Sequence, residues 1–306
     1  MDDRSVPVPD GNRETLTVLV RRALGLSHRQ ARELIRAGRV VAGAGPVLDP
    51  AWRPPGGTAV RVLRAPLGQV PAAPPLTGPG FRVVYVDRDL AAADKEPGLL
   101  VVPTGREGEE TPLVARVAAA LALTGRRTKA LWVVHRIDRE TSGLVLFART
   151  PAAFEGLSDQ FRERRPVREY LAITEGIPEP REGVWEDRLV EEEDPPRRVR
   201  LARGRERGRV ARLRFRVERE RERPPTALVR VWLETGRRNQ IRVQFASRGW
   251  PLLGDRFYGA RRRGTGRTAL HAARLGFLHP RTGRRIELEA PLAPDLSRLV
   301  ERLWPR

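Results

Sequence analysis

The fold is decided by residues 131–148, which read Leu-Trp-Val-Val-His-Arg-Ile-Asp-Arg-Glu-Thr-Ser-Gly-Leu-Val-Leu-Phe-Ala. Two short apolar runs, at 131–134 and 144–148, enclose a mostly polar loop. Short apolar runs bounded by turn residues are typical of buried β-strands. Because such strands hold the loop between them rigidly in place, we expect functional side chains at 135–143.

Regular patterns extend on both sides of this stretch. Residues 82–87 form a predicted strand, and residues 111–123 a predicted helix with Pro112 in its first turn. Apolar and charged residues alternate over 211–217 and again over 228–234, with a proline pair between them. This period of two predicts an antiparallel strand pair with one buried face.

The N-terminal part of the chain has a different organisation. Residues 1–13 are predicted to be a loose tail, residues 14–24 a helix, and Ser27 and Gln30 a capping box that opens a second helix ending at Gly38. Short strands are predicted at 40–42 and 59–63. The Pro- and Gly-rich, nearly uncharged residues 65–80 predict a linker. A second domain would then begin near Phe81.

One face of the second predicted helix is basic. Arg29, Arg32 and Arg36 lie three and four residues apart and therefore share a stripe. This stripe would suit a polyanion, although a solvated helix face would have the same pattern.

The composition narrows the classes of function. The 306 residues contain no Cys and four His, which excludes disulfides and Cys-ligated zinc and leaves little material for a metal site. Neither a membrane-length apolar run nor an N-terminal signal peptide is present, so we expect a protein that is neither membrane-bound nor exported.

The charge suggests a polyanionic partner. Lys and Arg number 58 against 38 Asp and Glu, a formal net charge of +20 that consists mostly of arginine. Arginine binds phosphate with a planar fork, which favours nucleic acid. A general preference for arginine in the coding sequence would give the same composition.

Among the common catalytic motifs, the phosphate-binding GxxxxGK[ST], the dinucleotide GxGxxG, HExxH and GxSxG are all absent. The candidates are Asp138, flanked by Arg136 and Arg139, and a second loop at 234–242. Taken alone, Asp138 could equally form a turn.

Five ordered segments resemble the RluA-type RNA pseudouridine synthases. They are DKEPGLLVVP (94–103), HRIDRETSGLVLFA (135–148), REYLAITEG (168–176), TGRRNQIRVQFASRGWPLLGDRFYG (235–259) and LHAARLGFLHPRTG (270–283). The resemblance implies an α+β fold, with a catalytic domain over 81–306 built on a mixed, largely antiparallel sheet with flanking helices. In the same light, residues 14–64 resemble a small S4-like αβ RNA-binding domain.

The family isomerises uridine in RNA to pseudouridine, without cofactor or metal. The resemblance therefore implies an RNA partner, with ribosomal RNA favoured over transfer RNA, and a cytoplasmic monomer. Asp138 matches the catalytic carboxylate, which either attacks C1′ or removes the C2′ proton. Arg242 matches its basic partner, Tyr170 the aromatic residue that stacks on the target base, and Arg136 the arginine that helps to open the base stack. Residue by residue, Arg242 could otherwise be a surface charge and Tyr170 an ordinary strand tyrosine.

Three positions depart from the family pattern. Asn239 stands where a His usually precedes Gln-Ile-Arg, and Arg238 stands where a small or hydroxylic residue is usual. Glu96 precedes Pro97, where many members have Pro directly after the Lys. Two other functions remain possible on this scaffold: an inactive RNA-binding protein, and an N-glycosidase that would use Glu140 to activate water.

Overall fold

The structure is a computed structural model of the 306-residue chain. It describes residues 4–36, 40–42, 45–47, 49–62, 76–105, 107–124, 130–192 and 198–305. The chain divides into two compact units, one of residues 1–71 with 277–287 and the other of residues 72–276 with 288–306. No helix in the described part of the chain is long and apolar enough to cross a membrane.

The first unit contains two helices and a four-stranded antiparallel sheet in the order β1-β4-β2-β3. Its elements are β1 (Arg4–Val6), α1 (Leu16–Leu24), α2 (His28–Arg36), β2 (Val40–Ala42), β3 (Gly45–Pro46) and β4 (Val60–Val62). The predicted helices and both predicted short strands are therefore confirmed. The predicted end of α2 at Gly38 lies outside the described residues.

The capping box of α2 forms as predicted. The backbone N–H of Gln30 donates to Ser27 Oγ at 3.3 Å, and the backbone N–H of Ser27 donates to Gln30 Oε1 at 2.9 Å. The loose tail predicted for 1–13 is wrong for its central part. Strand β1 pairs with β4, and Val6 and Val8 are buried with the helix side chains. Burial of these two valines outweighs the polar, Pro-rich character of the segment.

The second unit contains most of the chain and a larger sheet. The elements from residue 76 onward are β5 (Leu76–Gly78), β6 (Phe81–Val86), β7 (Leu90–Lys95), α3 (Leu113–Leu123), β8 (Trp132–Val133), β9 (Ser142–Ala148), α4 (Pro151–Arg162), β10 (Val167–Glu175), β11 (Glu182–Glu191), β12 (Val199–Leu201), β13 (Arg209–Glu222), β14 (Pro225–Leu233), α5 (Gln240–Ala246), a 3₁₀ turn (Arg256–Tyr258), β15 (Leu270–Leu278), β16 (Arg285–Glu289) and α6 (Pro294–Leu303). All lie in the second unit except the end of β15 and the start of β16, which fall within 277–287.

Ten strands of this sheet follow one another in the order β12-β11-β13-β14-β10-β15-β9-β7-β6-β5, and β8 pairs with β9. The pairs along this path are antiparallel except β15 with β9, where His271 lies opposite Ser142 and Ala272 opposite Gly143. The α+β class and the mixed, largely antiparallel sheet are thus confirmed. This parallel pair brings the C-terminal end of the 135–143 loop beside the start of β15.

The strands predicted around the loop form, with one difference. All seven residues of β9 are buried, whereas the two residues of β8 are only half-buried. The antiparallel pair β13–β14 is confirmed, and α3 begins one residue after Pro112. The linker predicted for 65–80 is wrong at its end, because Leu76–Gly78 pairs with β6; residues 65–75 lie outside the described residues.

Helix α5 is fixed to the sheet by an aromatic cluster. Phe245 is fully buried and packs edge-on against Trp185 and Phe215, at ring-centroid distances of 4.7 and 5.7 Å. Gln244, one residue earlier, donates from Nε2 to Asp187 Oδ2 at 2.7 Å. Because these side chains come from β11, β13 and α5, the orientation of the short helix is set by the sheet rather than by its own seven residues.

Candidate active site

A cleft of about 570 Å³ opens in the second unit where the 135–143 loop, β10 and the start of α5 meet. Four of the residues singled out from the sequence line it: Arg136, Asp138, Tyr170 and Arg242. They are contributed by segments that lie up to 106 residues apart in the chain, and the sheet order brings them together.

The loop that carries Asp138 is both a turn and the wall of the cleft. The Thr141 N–H donates to the Asp138 carbonyl at 3.1 Å, which closes a tight turn. The Asp138 carboxylate is about one-third exposed and faces the cleft. Asp138 can therefore be both a turn residue and a catalytic candidate, since its backbone closes the turn while its carboxylate remains accessible from the cleft.

Lys95 holds this loop from behind. Its ammonium group is almost fully buried and donates to the carbonyl oxygens of Arg139 at 2.9 Å and Glu96 at 2.8 Å. Burial, reinforced by the nearby charge of Arg267, lowers the pKa of Lys95 to about 7, although Glu140 and Asp138 act in the opposite direction. Through these two bonds the buried lysine ties the loop to β7, at a cost in electrostatic free energy because its charge is buried without a bonded carboxylate among the described residues.

Arg267 fixes the far end of the loop. Its guanidinium donates to the Glu140 carbonyl at 3.0 Å and to Ser142 Oγ at 3.0 Å, and it forms an ion pair with Asp295 at 2.7 Å. Ser142 Oγ in turn lies 2.9 Å from His271 Nδ1.

The direction of these hydrogen bonds is determined by the partners. His271 Nε2 lies 3.2 Å from the Ala290 carbonyl, which can only accept, so Nε2 carries the proton and Nδ1 accepts from Ser142. Burial is the main cause that lowers the pKa of His271, to about 4, so the ring is neutral near pH 7. His271 is therefore a structural residue.

Asp138 is paired across the cleft with Arg242. Arg242 Nη1 lies 3.2 Å from Asp138 Oδ2, while Nε and Nη2 bind the two oxygens of Asp255 at 2.6 and 2.9 Å. Asp255 is fully buried, and Arg242 is largely buried. Burial opposes the charge of Arg242, but the hydrogen bonds and charges of Asp255 and Asp138 outweigh it and raise the pKa of the guanidinium.

The bidentate bond to Asp255 leaves one edge of the guanidinium for Asp138. Sequence reasoning assigned no role to Asp255, although it lies in the fourth of the matched segments. Because its carboxylate is buried and is bound by Arg242 at two atoms, it fixes the plane of the arginine that contacts Asp138.

Asn239, one of the departures from the family pattern, has a backbone conformation and hydrogen bonds that suit an asparagine. It precedes α5 with φ of 52°, in the left-handed region that Asn tolerates better than most residues. Its Oδ1 accepts from Arg242 Nη1 at 3.1 Å, and its Nδ2 donates to the Tyr258 hydroxyl at 3.1 Å. Asn239 thus keeps hydrogen bonds on the cleft side of Arg242.

Tyr170 lies on β10, at a bulge. Opposite β15, the partner of Glu169 is Arg274 and that of Tyr170 is Ala272, so one residue of β15 is extra. Both Glu169 and Tyr170 are buried, and a bulge of this kind redirects the neighbouring side chains. Burial is the main cause that raises the pKa of the Tyr170 phenol, with Arg168 opposing and Asp138 adding to the rise.

Arg136 is exposed at the edge of the cleft. Arg168 also lines the cleft but is half-buried. Arg168 Nη2 donates to the carbonyls of Leu233 and Glu234 at 3.2 and 3.0 Å, which holds the loop that follows β14. Glu140 does not line the cleft. Glu234 does, but it is paired with Arg212 at 2.8 Å.

Two glycines of the matched segments cannot be replaced without moving the backbone. Gly143 has φ of 107°, and a Cβ there would lie 2.2 Å from the Ala272 carbonyl oxygen. Gly254 has φ of 81°, and a Cβ would lie 2.1 Å from the Arg267 carbonyl oxygen. Both allow the close approach that places Asp138 and Asp255 on their respective sides of the cleft.

The predicted arginine stripe lies in the first unit, on α2. Arg32 is exposed, and Arg29 is paired with Glu33 at 3.2 Å, one turn along the helix. Arg36 is the last residue of α2, and its side chain lies outside the described part. Among the described residues, no group of three potential metal ligands lies on the cleft.

The comparisons with known proteins agree on one family. Residues 89–247 match the family model described as RNA pseudouridylate synthase. The chain is 32% identical over 280 residues to an RNA pseudouridine synthase of Bacillus subtilis, which covers 90% of this chain and 89% of that one. It is 31% identical over 294 residues to ribosomal large subunit pseudouridine synthase D of Zymomonas mobilis, covering 91% and 90%.

A solved structure shares the fold. The human RNA pseudouridylate synthase domain-containing protein 4 superposes with a TM-score of 0.59 at 23% identity, over 72% of this chain and 92% of that one. The matched segment includes Asp138, Tyr170 and Arg242. The chain belongs to the RluA-type family of RNA pseudouridine synthases.

Proposed function

We propose that this enzyme converts uridine of large-subunit ribosomal RNA to pseudouridine, with Asp138 as the catalytic carboxylate. The observation that supports this assignment most strongly is the Asp138–Arg242 ion pair in a cleft that also contains Tyr170. The choice of ribosomal RNA follows the Zymomonas mobilis relative, whose name gives the large ribosomal subunit as its target.

The reaction is balanced within the substrate. The N1–C1′ bond of uridine breaks, the uracil turns, C5 bonds to C1′, the C5 proton leaves, and N1 ends protonated. No water is consumed, so one carboxylate can suffice, whereas hydrolysis of a glycosidic bond uses two. Asp138 Oδ2 accepts from Arg242, and among the described residues nothing donates to Oδ1. We assign Oδ1 as the atom that meets the ribose, at C1′ or at the C2′ proton.

Arg242 acts as the positioning residue for Asp138. Its plane is fixed by Asp255, so the carboxylate is oriented by a group that cannot rotate. A fixed cation beside the reacting carboxylate needs no rearrangement during the reaction, which is how preorganised charge accelerates chemistry.

Tyr170 is assigned to the uracil ring. Its phenol is protonated near neutral pH because its pKa is raised, so it can stack on the base and donate a hydrogen bond but is a poor base. Arg136, exposed at the edge of the cleft, is assigned to the RNA around the extruded nucleotide, whose unstacking costs a few kcal/mol.

The first unit is assigned to RNA binding as an S4-like module, with the arginine stripe of Arg29, Arg32 and Arg36 as its phosphate-binding residues. We further infer that the chain acts as a cytoplasmic monomer. All residues assigned to the cleft come from one chain, so a partner copy is not needed to complete it.

The test uses large-subunit ribosomal RNA transcripts that carry tritium at uridine C5. The wild type should release tritium and leave the chain intact, while Asp138→Asn should release none and still bind RNA. Glu220→Gln is the control, because Glu220 is an exposed carboxylate of β13 that pairs with Arg181 at 2.9 Å, and neither residue lines the cleft; it should keep full activity.

Each alternative gives a different result in this assay. Abasic sites in place of pseudouridine would identify an N-glycosidase, and binding without either product would identify an inactive RNA-binding protein. Normal tritium release by Asp138→Asn would remove Asp138 from the mechanism.

A further inference from the structure

A second cavity continues from the catalytic cleft. It has a volume of about 760 Å³ and shares seven lining residues with the cleft, among them Arg136, Asp138 and Arg242. Its other walls are formed by residues 100–104, by β11 and β13 near Glu191 and Arg209, and by Arg238 and Phe257. We call this cavity the flanking groove. It meets the catalytic cleft at the Asp138–Arg242 pair.

The flanking groove is strongly cationic. Six arginines line it against two carboxylates, Asp138 and Glu191; the arginines are Arg136, Arg139, Arg209, Arg237, Arg238 and Arg242. Since Arg242 is bonded to both Asp138 and Asp255, its positive charge is neutralised within the protein. The excess positive charge comes from the other five.

Arg136 is assigned above to the RNA around the extruded nucleotide, and the other four arginines divide into a fixed pair and a free pair. Arg237 Nε donates to the Val210 carbonyl at 3.0 Å, and Arg139 Nε donates to the Gly98 carbonyl at 2.7 Å. Arg238 has only a 3.9 Å ion pair with the exposed Glu191, longer than a hydrogen bond. Within the described ranges, the guanidinium of Arg209 contacts no carboxylate.

We propose that the flanking groove binds the single-stranded RNA backbone next to the target uridine, with Arg209 and Arg238 holding a phosphate each. This rests on the proposed function in one respect, that uridine occupies the cleft at Asp138. A nucleotide whose ribose lies at Asp138 has a phosphate on either side, and the flanking groove opens directly from that point. The free arginines lie where the chain of the substrate must continue.

Recognition by this groove should be largely independent of sequence. Guanidinium groups bind phosphate oxygens, which carry no base information. The remaining wall offers the apolar residues 100–103 and the ring of Phe257, against which any base could pack. The groove would therefore set the register of the strand rather than choose the base.

The experiment measures binding of a fluorescein-labelled uridine hexanucleotide to full-length protein carrying Asp138→Asn, so that no turnover occurs. In that background, Arg209→Ala with Arg238→Ala should raise the Kd about tenfold. The slope of log Kd against log salt should fall by about 1.4, which is about 0.7 per lost phosphate contact with a single strand.

Arg219→Ala is the matched control. Arg219 is exposed on the same strand as Arg209 but lies ten residues away, roughly 30 Å along an extended strand. It should change Kd and salt slope by less than a third as much. Equal losses in the control and the double variant would show a diffuse charge effect and overturn the groove.

Glu191→Gln supplies a change in the opposite direction. It removes the groove's acidic side chain other than Asp138, so hexanucleotide affinity should rise about threefold, which damage to the fold would not produce. An unchanged or weaker affinity in Glu191→Gln, or no binding of the hexanucleotide by the parent protein at low salt, would also overturn the proposal.

These outcomes are separate from those of the tritium assay. If the wild type releases no tritium, the proposed function is refuted, while the hexanucleotide measurements still test the flanking groove. Normal tritium release with unchanged hexanucleotide affinity in the double variant would refute the groove alone.

Discussion

The arginines that hold Asp138 and its loop, Arg242 and Arg267, differ from the two free arginines of the flanking groove, Arg209 and Arg238. Arg242 and Arg267 are largely buried, with 13% and 6% of their side chains exposed, and each is bonded at several atoms to a carboxylate or to carbonyls. Arg209 and Arg238 are exposed and form no close ion pair within the described residues. The same side chain thus fixes protein geometry in one region and is left available in the other.

This contrast changes the meaning of the net charge. A net charge of +20 suggested a polyanionic partner, but some of the arginines are buried and paired with carboxylates inside the fold. Arginines that are bonded to carboxylates, such as Arg242, add little to the field that attracts RNA, whereas arginines without a carboxylate partner add their full charge. The four predictions below test this division, from the largest expected effect to the smallest.

The strongest test removes the buried partner of Arg242. Asp255→Ala should lower the free energy of unfolding by about 3 kcal/mol, because it leaves a buried guanidinium with half of its partners. Activity should fall about 100-fold, since Arg242 would no longer hold Asp138 in one direction. Urea unfolding and tritium release measure the two effects.

The control for this test is Glu220→Ala, which removes one of the two carboxylate partners of the exposed Arg181, outside the cleft. It should cost less than about 1 kcal/mol and leave activity unchanged. Equal costs for the two variants would erase the distinction between buried and exposed arginines.

A second test keeps the charge and removes the planar fork. Arg267→Lys should lower the free energy of unfolding by about 2 kcal/mol, because a lysine cannot reach Asp295, Ser142 and the Glu140 carbonyl at once. Tritium release should fall as the Asp138 loop loosens. In the flanking groove, Arg238→Lys should have almost no effect on stability, and a comparable loss there would contradict the comparison.

A third test uses pH and the buried lysine behind the loop. The pKa of Lys95 is about 7 in the folded chain against 10.5 as its ordinary value, so between these pH values the unfolded chain binds the extra proton. The free energy of unfolding should therefore rise with pH across this window, by up to about 1.4 kcal/mol per pH unit from this group. Below pH 7 the destabilisation caused by burying the charged Lys95 should be at its full value.

Lys95→Met isolates that contribution. The free energy of unfolding of the wild type, minus that of Lys95→Met, should increase from pH 7 to pH 9 in urea titrations. Parallel pH profiles for the two proteins would show that Lys95 does not titrate as its burial predicts.

The smallest effects are expected in the first unit. Arg32→Ala should weaken binding of ribosomal RNA about threefold, as expected for one lost phosphate contact at the surface. Arg29→Ala should weaken it less, because Glu33 already offsets that charge. Electrophoretic mobility shifts over a salt series measure both, and no change in either variant would leave the stripe as a solvated helix face.

Local signals predicted much of the fold. The alternation of apolar and charged residues predicted β13 and β14, and a short apolar run predicted β9. The Ser27–Gln30 capping box predicted the start of α2. These features depend on residues within a few positions of one another. The strand at 4–6 was missed because it is held by pairing with β4, far along the chain. The strand at 76–78 was missed because its three residues, Leu-Thr-Gly, carry little strand pattern of their own.

The site was predicted less evenly. Matched segments singled out Asp138, Tyr170 and Arg242, and the structure brings all three to one cleft. Asp255 was missed as the residue that fixes Arg242, and Lys95 and Arg267 as those that hold the loop. The importance of Lys95 and Arg267 comes from burial and from bonds to backbone carbonyls, and that of Asp255 from its buried bidentate bond to Arg242. A residue type alone reveals none of these.

The sequence by itself determined many of the strands and helices, the polar loop with Asp138 between two apolar runs, and the family to which the chain belongs. Only the tertiary structure decided that Asp138, Arg242 and Asp255 form one chain of ion pairs, and which arginines remain free. The physical reason is that secondary structure follows from local steric and hydrogen-bonding preferences, whereas these contacts join residues 13 and 104 positions apart and exist only once the order of the strands is set.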